Sequence, residues 1–423
     1  MKSTEVFGVT SDILLASYVD RNRLDEEMKK YLSRDTHIAI KGESKSGKTW
    51  MRKKNIPTGL IVQCRYGRTV IDIYKDALSQ LGINLITQSK TSRDISGSVE
   101  ATTEAGNSLL MKIGVTLRLT GKRSTENNFT PVGRDINDLK FISEILNGSG
   151  RKLIIEDFHY LNESERKVLA FDLKALWDYK CFVVVIGIWA QSNYLFYLNP
   201  DLTGRVNEIS VYWTDSELGK VIENGSPYLN IEFSRKIKTG LVGNSYQNVG
   251  ILQSLIIRTL DLSNVSKTIT EKKMLNDYVK FQDASMEYAE QLNSYLLKFA
   301  NTVSEGIRKR QNSTGIYAYT MDAITNASDK DLIDGLSSSR IFEIANRRQP
   351  RIQKGNLKLI LQKIEEIQVD EDGRGLIVSY DRTSERVFIV DRQLLFYRKY
   401  KTVPWPWDSI ISESSDSSYE TNS

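Results

Sequence analysis

The chain has 423 residues, 40% hydrophobic and 26% charged, which fits a soluble globular protein of two to three domains at roughly 100–200 residues each and excludes wholesale disorder. No apolar run approaches the ~18–20 residues that cross a bilayer, the longest being Phe182 to Ile188, and the opening MKSTEVFGVTSD has no apolar core of leader length, so a cytoplasmic protein with no membrane partner is expected. Lys and Arg number 58 against 53 Asp and Glu, a net charge of +5 that is too mild to name a partner until it is located along the chain, while Cys64, Cys181, His37 and His159 are too few for a structural zinc site or a disulfide framework.

In chain order, Tyr18 to Leu32 places apolar residues at helical spacing and predicts an amphipathic helix. His37 to Ile40 reads as a strand ending at Gly42, Leu60 to Cys64 as a second strand and Thr69 to Leu81 as a helix, the rhythm of a mostly parallel sheet covered by helices. The rhythm breaks over 86–131, which is rich in Ser, Thr, Gly and Asn. The alternation in Leu109 to Leu119 favours an inserted β-hairpin there over a structureless loop. Pattern resumes with helix Asp135 to Leu146, strand Lys152 to Ile155, helix Glu163 to Tyr179 and strand Phe182 to Ile188. Both cysteines lie in apolar strand-like runs and read as core. Thr214 to Leu262 predicts short amphipathic helices without a clear strand. Thr270 to Arg310 predicts one or two long helices with a packing stripe that includes Met274, Phe281, Tyr288 and Phe299. Asp329 to Tyr400 gives three helices and then strands Gly375 to Tyr380 and Arg386 to Val390, and Ser412 to Ser423 is an acidic, Ser-rich tail expected to be disordered.

The strongest chemical signal is Gly42, Glu43, Ser44, Lys45, Ser46, Gly47, Lys48 and Thr49, which matches G-x-x-x-x-G-K-[ST] at every fixed position between a strand and a helix. Glycines at the two ends let the backbone wrap so that successive N–H groups point at phosphates, and the helix N-terminus adds partial positive charge. Lys48 is placed to reach the β/γ-phosphates and the Thr49 hydroxyl to bind Mg²⁺. The acidic pair such a site needs is supplied by Glu156 and Asp157 at the end of the strand Lys152 to Ile155. Glu156 is expected to hold Mg²⁺ directly or through water and Asp157 to orient the attacking water, with a helix N-terminal charge pair as the plainer alternative. His159 reads either as a phosphate-side residue or, more simply, as packing at the strand–helix junction. Gln191, Ser192 and Asn193 follow the strand ending at Gly187 and are candidates for sensing a γ-phosphate. Arg205, after the Gly204 turn, is placed either to reach a neighbouring subunit's γ-phosphate or to lie on the surface.

These motifs carry a family resemblance. Residues 15–260 resemble the AAA+/STAND P-loop ATPases, and in particular the archaeal-type ATPases and the ATPase cores of origin-recognition proteins. The likeness rests on Tyr18 to Arg21 ahead of the P-loop, on Ile155 to Leu161 as the counterpart of the family's DEFQYL stretch, and on Leu202 to Arg205 followed by Glu208 to Val211. Three departures stand out: the acidic pair is reversed, the stretch Gly243 to Gly250 lacks an evident sensor arginine, and the 86–131 insertion is outside the common core. The resemblance implies ATP and Mg²⁺ as cofactors and nucleotide-controlled homo-oligomerisation more firmly than rapid turnover.

In the C-terminal segment, helix, helix, helix and hairpin together resemble a winged helix. Between Arg340 and Lys358 six basic residues, Arg340, Arg347, Arg348, Arg351, Lys354 and Lys358, face Glu343 alone. The third helix would enter a major groove and the turn before it would meet phosphates, although winged helices also bind proteins and basic runs are often solvated faces. The expected layout is an α/β P-loop core over 1–213, a helical lid over 214–262, a helical linker over 263–327, a winged-helix domain over 328–408 and a tail over 409–423. The functional expectation is an ATPase that oligomerises with nucleotide and presents the winged-helix module to DNA or a partner. The alternative is a bacterial defence-type scaffold whose ATP-driven assembly recruits a separate effector protein without DNA.

Overall fold

The computed structural model describes residues 1–87, 97–112, 136–305, 314–368 and 375–416. In chain order its first strands are β1 (His37–Gly42), β2 (Leu60–Gln63), β3 (Ile83–Thr87), β4 (Gly97–Ala101), β5 (Leu153–Glu156), β6 (Val184–Gly187) and β7 (Val206–Val211). Five of them make one parallel sheet in the order β2-β5-β6-β1-β7, with Ile38 opposite Val184 and Asn207, and Ile155 opposite Val62 and Val185. Helices cover both faces, so the strands are buried on both sides and read as near-continuous apolar runs. Alternation still sorts them. Ile38 and Ile40 pack with Met28, Met51 and Ile209 on one face, and Ala39 packs with Val62, Ile155 and Leu173 on the other.

His37 pins the start of this sheet. The Val183 N–H donates to His37 Nδ1 at 2.9 Å, so Nε2 carries the proton and donates to the Leu173 carbonyl at 2.8 Å. Burial pushes the imidazole pKa down to about 4.

Several elements differ from the sequence expectation. The helix after Tyr18 begins only at Leu24, because Asn22 and Arg23 adopt left-handed conformations (φ 44° and 61°) that break the chain and turn Arg21 inward. A hairpin is present, but it is β3 with β4, in register Ile83 opposite Ala101. Within the alternating run, Leu109 to Lys112 belongs to the helix Glu104–Lys112, where adjacent Leu109 and Leu110 are both buried, an arrangement a half-buried strand cannot give. The remainder of that run lies outside the described residues. The segment expected to be strand-free contains β8 (Ile231–Phe233), which pairs in parallel with β9 (Lys273–Leu275). Met274 is therefore a half-exposed strand residue and not part of a helical stripe. The long helix is a single element, Tyr278–Glu305.

The C-terminal module comprises helices Asp329–Asp334, Ser338–Arg348 and Lys354–Gln368 and a three-stranded antiparallel sheet of β10 (Leu336–Ser337), β11 (Val378–Asp381) and β12 (Arg386–Ile389), ordered β10-β12-β11. This is a winged-helix arrangement. Buried Gln368 ties the third helix to the hairpin, its Oε1 accepting from the Ile377 and Val378 N–H groups and its Nε2 donating to the Val378 carbonyl. The module shares one continuous core with the helices after β7 and with Tyr278–Glu305. Trp405 and Trp407 stack with ring centres 4.7 Å apart inside that core. Pro406–Asp416 is a helix whose Ile411 is buried, so it runs into the first five residues of the stretch expected to be disordered. Residues 417–423 lie outside the described residues. Among the described residues, no helix is long and apolar enough to cross a membrane.

Candidate functional site

β1 lies between β6 and β7, where the strand order turns back on itself, and its carboxyl end opens into the crevice where open α/β sheets bind ligands. Gly42 closes the strand under Val211, whose carbonyl would stand 2.7 Å from any Cβ added there. Gly47 has φ +87°, the left-handed region a β-carbon resists, and it launches the helix Lys48–Asn55. Lys48 Nζ donates to the Gly42 and Glu43 carbonyls at 3.0 and 2.6 Å. Burial lowers its pKa to about 8, against the pull of the Asp157 and Glu43 carboxylates.

A cavity of about 400 Å³ opens over this loop, within the size range of small-molecule sites. Lys48, Thr49, Asp157, His159, Tyr160 and Gln253 all border it. Two buried polar atoms at the site have no hydrogen-bond partner, Ser46 Oγ in the loop and His159 Nδ1 beside it, as expected of a cradle built for a polar ligand. Burial drives the His159 pKa down to about 3, so the ring is neutral. Among the described residues no group of three or more His, Cys, Asp or Glu side chains gathers that could hold a metal.

The two residues of the acidic pair lie in different surroundings. Glu156, the last residue of β5, is buried and accepts from Arg52 Nε at 3.0 Å. Arg52 itself comes from the helix that follows the loop. Asp157 adopts a left-handed conformation (φ 58°) and borders the cavity. Burial and the neighbouring Glu156 raise its pKa, and Lys48 opposes them.

Gln191, Ser192 and Asn193 do not border the cavity. The buried Lys41 donates to the Gln191 carbonyl and Ser192 Oγ at 3.4 and 3.3 Å and pairs with Glu208 at 3.1 Å. The Asn193 N–H also donates to Glu208, at 3.2 Å. Arg205 precedes β7 at the sheet edge opposite the loop, since His37 faces Val206 while Gly42 faces Val211. Its guanidinium lies 4.7 Å from the Trp177 ring centre and donates to the Asp201 carbonyl. It therefore cannot reach its own chain's loop.

Two further parts of the site had no signal in the sequence. The N-terminal Val9 and Thr10 border the cavity, held by Trp50 Nε1 donating to the Thr10 carbonyl at 3.0 Å and by the Gly8 N–H donating to Gln253 Oε1 at 2.8 Å. The C-terminal module also grips the loop directly. The Ser44 N–H donates to the Val390 carbonyl at 3.0 Å, Lys45 Nζ donates to Gln393 Oε1 at 2.7 Å, and Arg392 pairs with Glu43. Burial nevertheless pushes the Glu43 pKa up to about 7. Asn248, which caps the helix Val249–Leu262, donates from Nδ2 to the Ser44 carbonyl at 2.8 Å.

Of the six basic residues in the module, Arg348 pairs with Asp322 and Lys358 with Glu385. Arg340, Arg347, Arg351 and Lys354 are exposed around the second helix and the turn into the third. The wing is docked on the α/β core: Gln191 Nε2 donates to Thr383 Oγ1 at 3.0 Å, and Arg382 meets Glu163 at 3.5 Å.

The fold and the loop together define an α/β P-loop architecture with a helical region and a C-terminal winged-helix module. Solved structures similar to the chain include a Walker-type ATPase of Pyrococcus abyssi, at 13% identity over 90% of this chain and 96% of that one with a TM-score of 0.48. They also include the Orc1 protein of Aeropyrum pernix in complex with DNA, at 12% over 91% of each chain and 0.35. A STAND protein with a tetratricopeptide-repeat sensor from Pyrococcus horikoshii matches at 12% over 99% of this chain and 47% of that one, with 0.38. No family model matches the chain, and no curated protein matches it.

Proposed function

We propose that the chain binds ATP with Mg²⁺ at the Gly42–Thr49 loop and uses the bound nucleotide to control self-assembly, with hydrolysis as the step that resets it. The observation that carries this reading is the loop itself. A strand, a left-handed Gly47 and a helix N-terminus bring Lys48 and Thr49 to a cavity faced by Asp157. Gly42 to Gly47 would wrap the phosphates, Lys48 would leave the Gly42 and Glu43 carbonyls for the β/γ-phosphates, and Thr49 would hold the metal. Bound Mg²⁺ neutralises developing phosphate charge. With Glu156 committed to Arg52, Asp157 is the carboxylate available for the metal or for the attacking water.

Arg205 serves a second chain in this reading, which its place at the far end of the strands, away from its own chain's loop, supports. The exposed Arg340, Arg347, Arg351 and Lys354 support presentation of the module to DNA. The docked wing favours the other reading, a scaffold that assembles on ATP and engages a protein partner without DNA.

Light scattering with and without ATP–Mg²⁺, repeated with a DNA duplex, separates these. Assembly on ATP that DNA strengthens supports the DNA-linked form. Assembly indifferent to DNA supports the scaffold, and no ATP response removes the switch.

A further inference from the structure

The carbonyl of Ser46, inside the loop, accepts two hydrogen bonds from behind, one from Arg21 Nη1 at 2.6 Å and one from Trp213 Nε1 at 2.9 Å. Both donors are buried, at 3% and 7% exposure, and the Arg21 guanidinium lies 4.5 Å from the Trp213 ring centre, so each side chain holds the other in place. In a planar trans peptide the carbonyl and the following N–H point in opposite directions. Fixing the Ser46 carbonyl backwards therefore turns the Gly47 N–H forwards, into the cradle.

Arg21 also brings a buried positive charge to the back of the loop. Among the described residues it makes no direct ion pair and its Nε has no hydrogen-bond partner, while the carboxylates of Asp25, Glu217 and Asp20 lie near enough to favour its charge from a distance. A buried cation with no carboxylate in direct contact is costly, and an anion seated in the loop would add a nearer counter-charge. The guanidinium is close enough to act: a Cβ on Gly47 would stand 3.4 Å from Nη1. The left-handed Asn22 and Arg23 that interrupt the helix are what bring Arg21 under the loop.

We infer that Arg21 and Trp213 are positioning residues for phosphate binding, aiming the Ser46–Gly47 peptide and placing a positive charge beneath it. This rests on the nucleotide-site reading above. Arg21 and Trp213 act on the phosphates common to ATP and ADP, and so determine affinity for both nucleotides without discriminating between them.

The test is calorimetric titration of the full chain with ATP and with ADP, with unfolding of the ligand-free protein as the control for folding. Trp213→Phe keeps the ring and removes the N–H. It should weaken both nucleotides about 3- to 10-fold with the same ATP/ADP ratio, the scale of one neutral hydrogen bond. Arg21→Met should weaken both by about 10- to 100-fold, and Arg21→Lys should recover part of the loss by restoring the charge without the planar fork. Folded Trp213→Phe and Arg21→Lys proteins that bind both nucleotides like wild type overturn the positioning role alone. A change in unfolding midpoint with unchanged affinity does the same. Wild-type protein that binds neither nucleotide overturns the site reading, and the positioning role falls with it.

Discussion

Arg52 Nε donates to Glu156 Oε1 at 3.0 Å, joining the helix after the loop to the end of β5 with both side chains buried. The pair neutralises the first carboxylate of the acidic pair, and the left-handed Asp157 takes the cavity face. Glu156→Gln and Asp157→Asn should therefore behave differently. Asp157→Asn should bind ATP and lose turnover and Mg²⁺ dependence. Glu156→Gln should keep Mg²⁺-dependent binding, and equal loss in the two variants would contradict the division of roles. Arg52→Gln should cost about 3–5 kcal/mol in urea unfolding, because it leaves a buried carboxylate uncompensated.

Lys48→Ala should abolish nucleotide binding, with unchanged ATP affinity as the contrary result. In wild type the pKa of Lys48 in the ligand-free site is about 8. Below that value the ammonium is already charged. As pH rises above it, ATP must bring the proton back, so affinity should fall by up to about tenfold per pH unit and binding should take up a proton. Calorimetry at pH 8.5 in buffers of different ionisation enthalpy measures that uptake.

Acid stability should report the histidines. His37 and His159 are neutral when folded, with pKa values lowered to about 4 and about 3, whereas in the unfolded chain they titrate near 6.5. Stability from each is therefore full above pH 6.5 and declines as pH falls towards the folded value, by roughly 1.4 kcal/mol per unit and per histidine. Glu43 and Asp172, whose pKa values burial raises to about 7 and about 6, titrate in the same window with the opposite sign, so the histidine contribution is read as a difference in chemical denaturation: between pH 7 and pH 4.5 His159→Gln should lose less stability than wild type by that slope.

The grip of the C-terminal module on the loop should be visible as coupling. Arg392→Ala leaves Glu43 buried without its partner, so a double-mutant cycle with Glu43→Gln should give an interaction energy of about 1–3 kcal/mol in unfolding. Additive effects would show that the pair contributes nothing beyond packing.

If the module binds DNA, replacing Arg347, Arg351 and Lys354 with Gln should weaken binding and make the dependence of log affinity on log salt shallower, by about one for each phosphate that is no longer neutralised. Arg348→Gln and Lys358→Gln should change DNA affinity less, because both side chains are engaged by carboxylates.

The sequence alone determined the local physics. The spacing of Gly42, Gly47, Lys48 and Thr49 after an apolar strand specifies a phosphate loop, because wrapping needs glycine at fixed offsets and charge needs lysine at the helix start. The βα periodicity specified the parallel sheet, and the helix–helix–helix–hairpin run specified the winged helix. Only the tertiary structure decided what faces the loop. Whether Glu156 or Asp157 reaches the cavity depends on a partner 104 residues away and on one left-handed residue. The interactions of Val9, Arg21, Trp213, Val390 and Arg392 with the site join segments that no local pattern relates. Likewise, Leu109 to Lys112 opens the roughly alternating run Leu109 to Leu119 yet packs as a helix, because burial of the adjacent leucines against a distant core outweighs a short-range period.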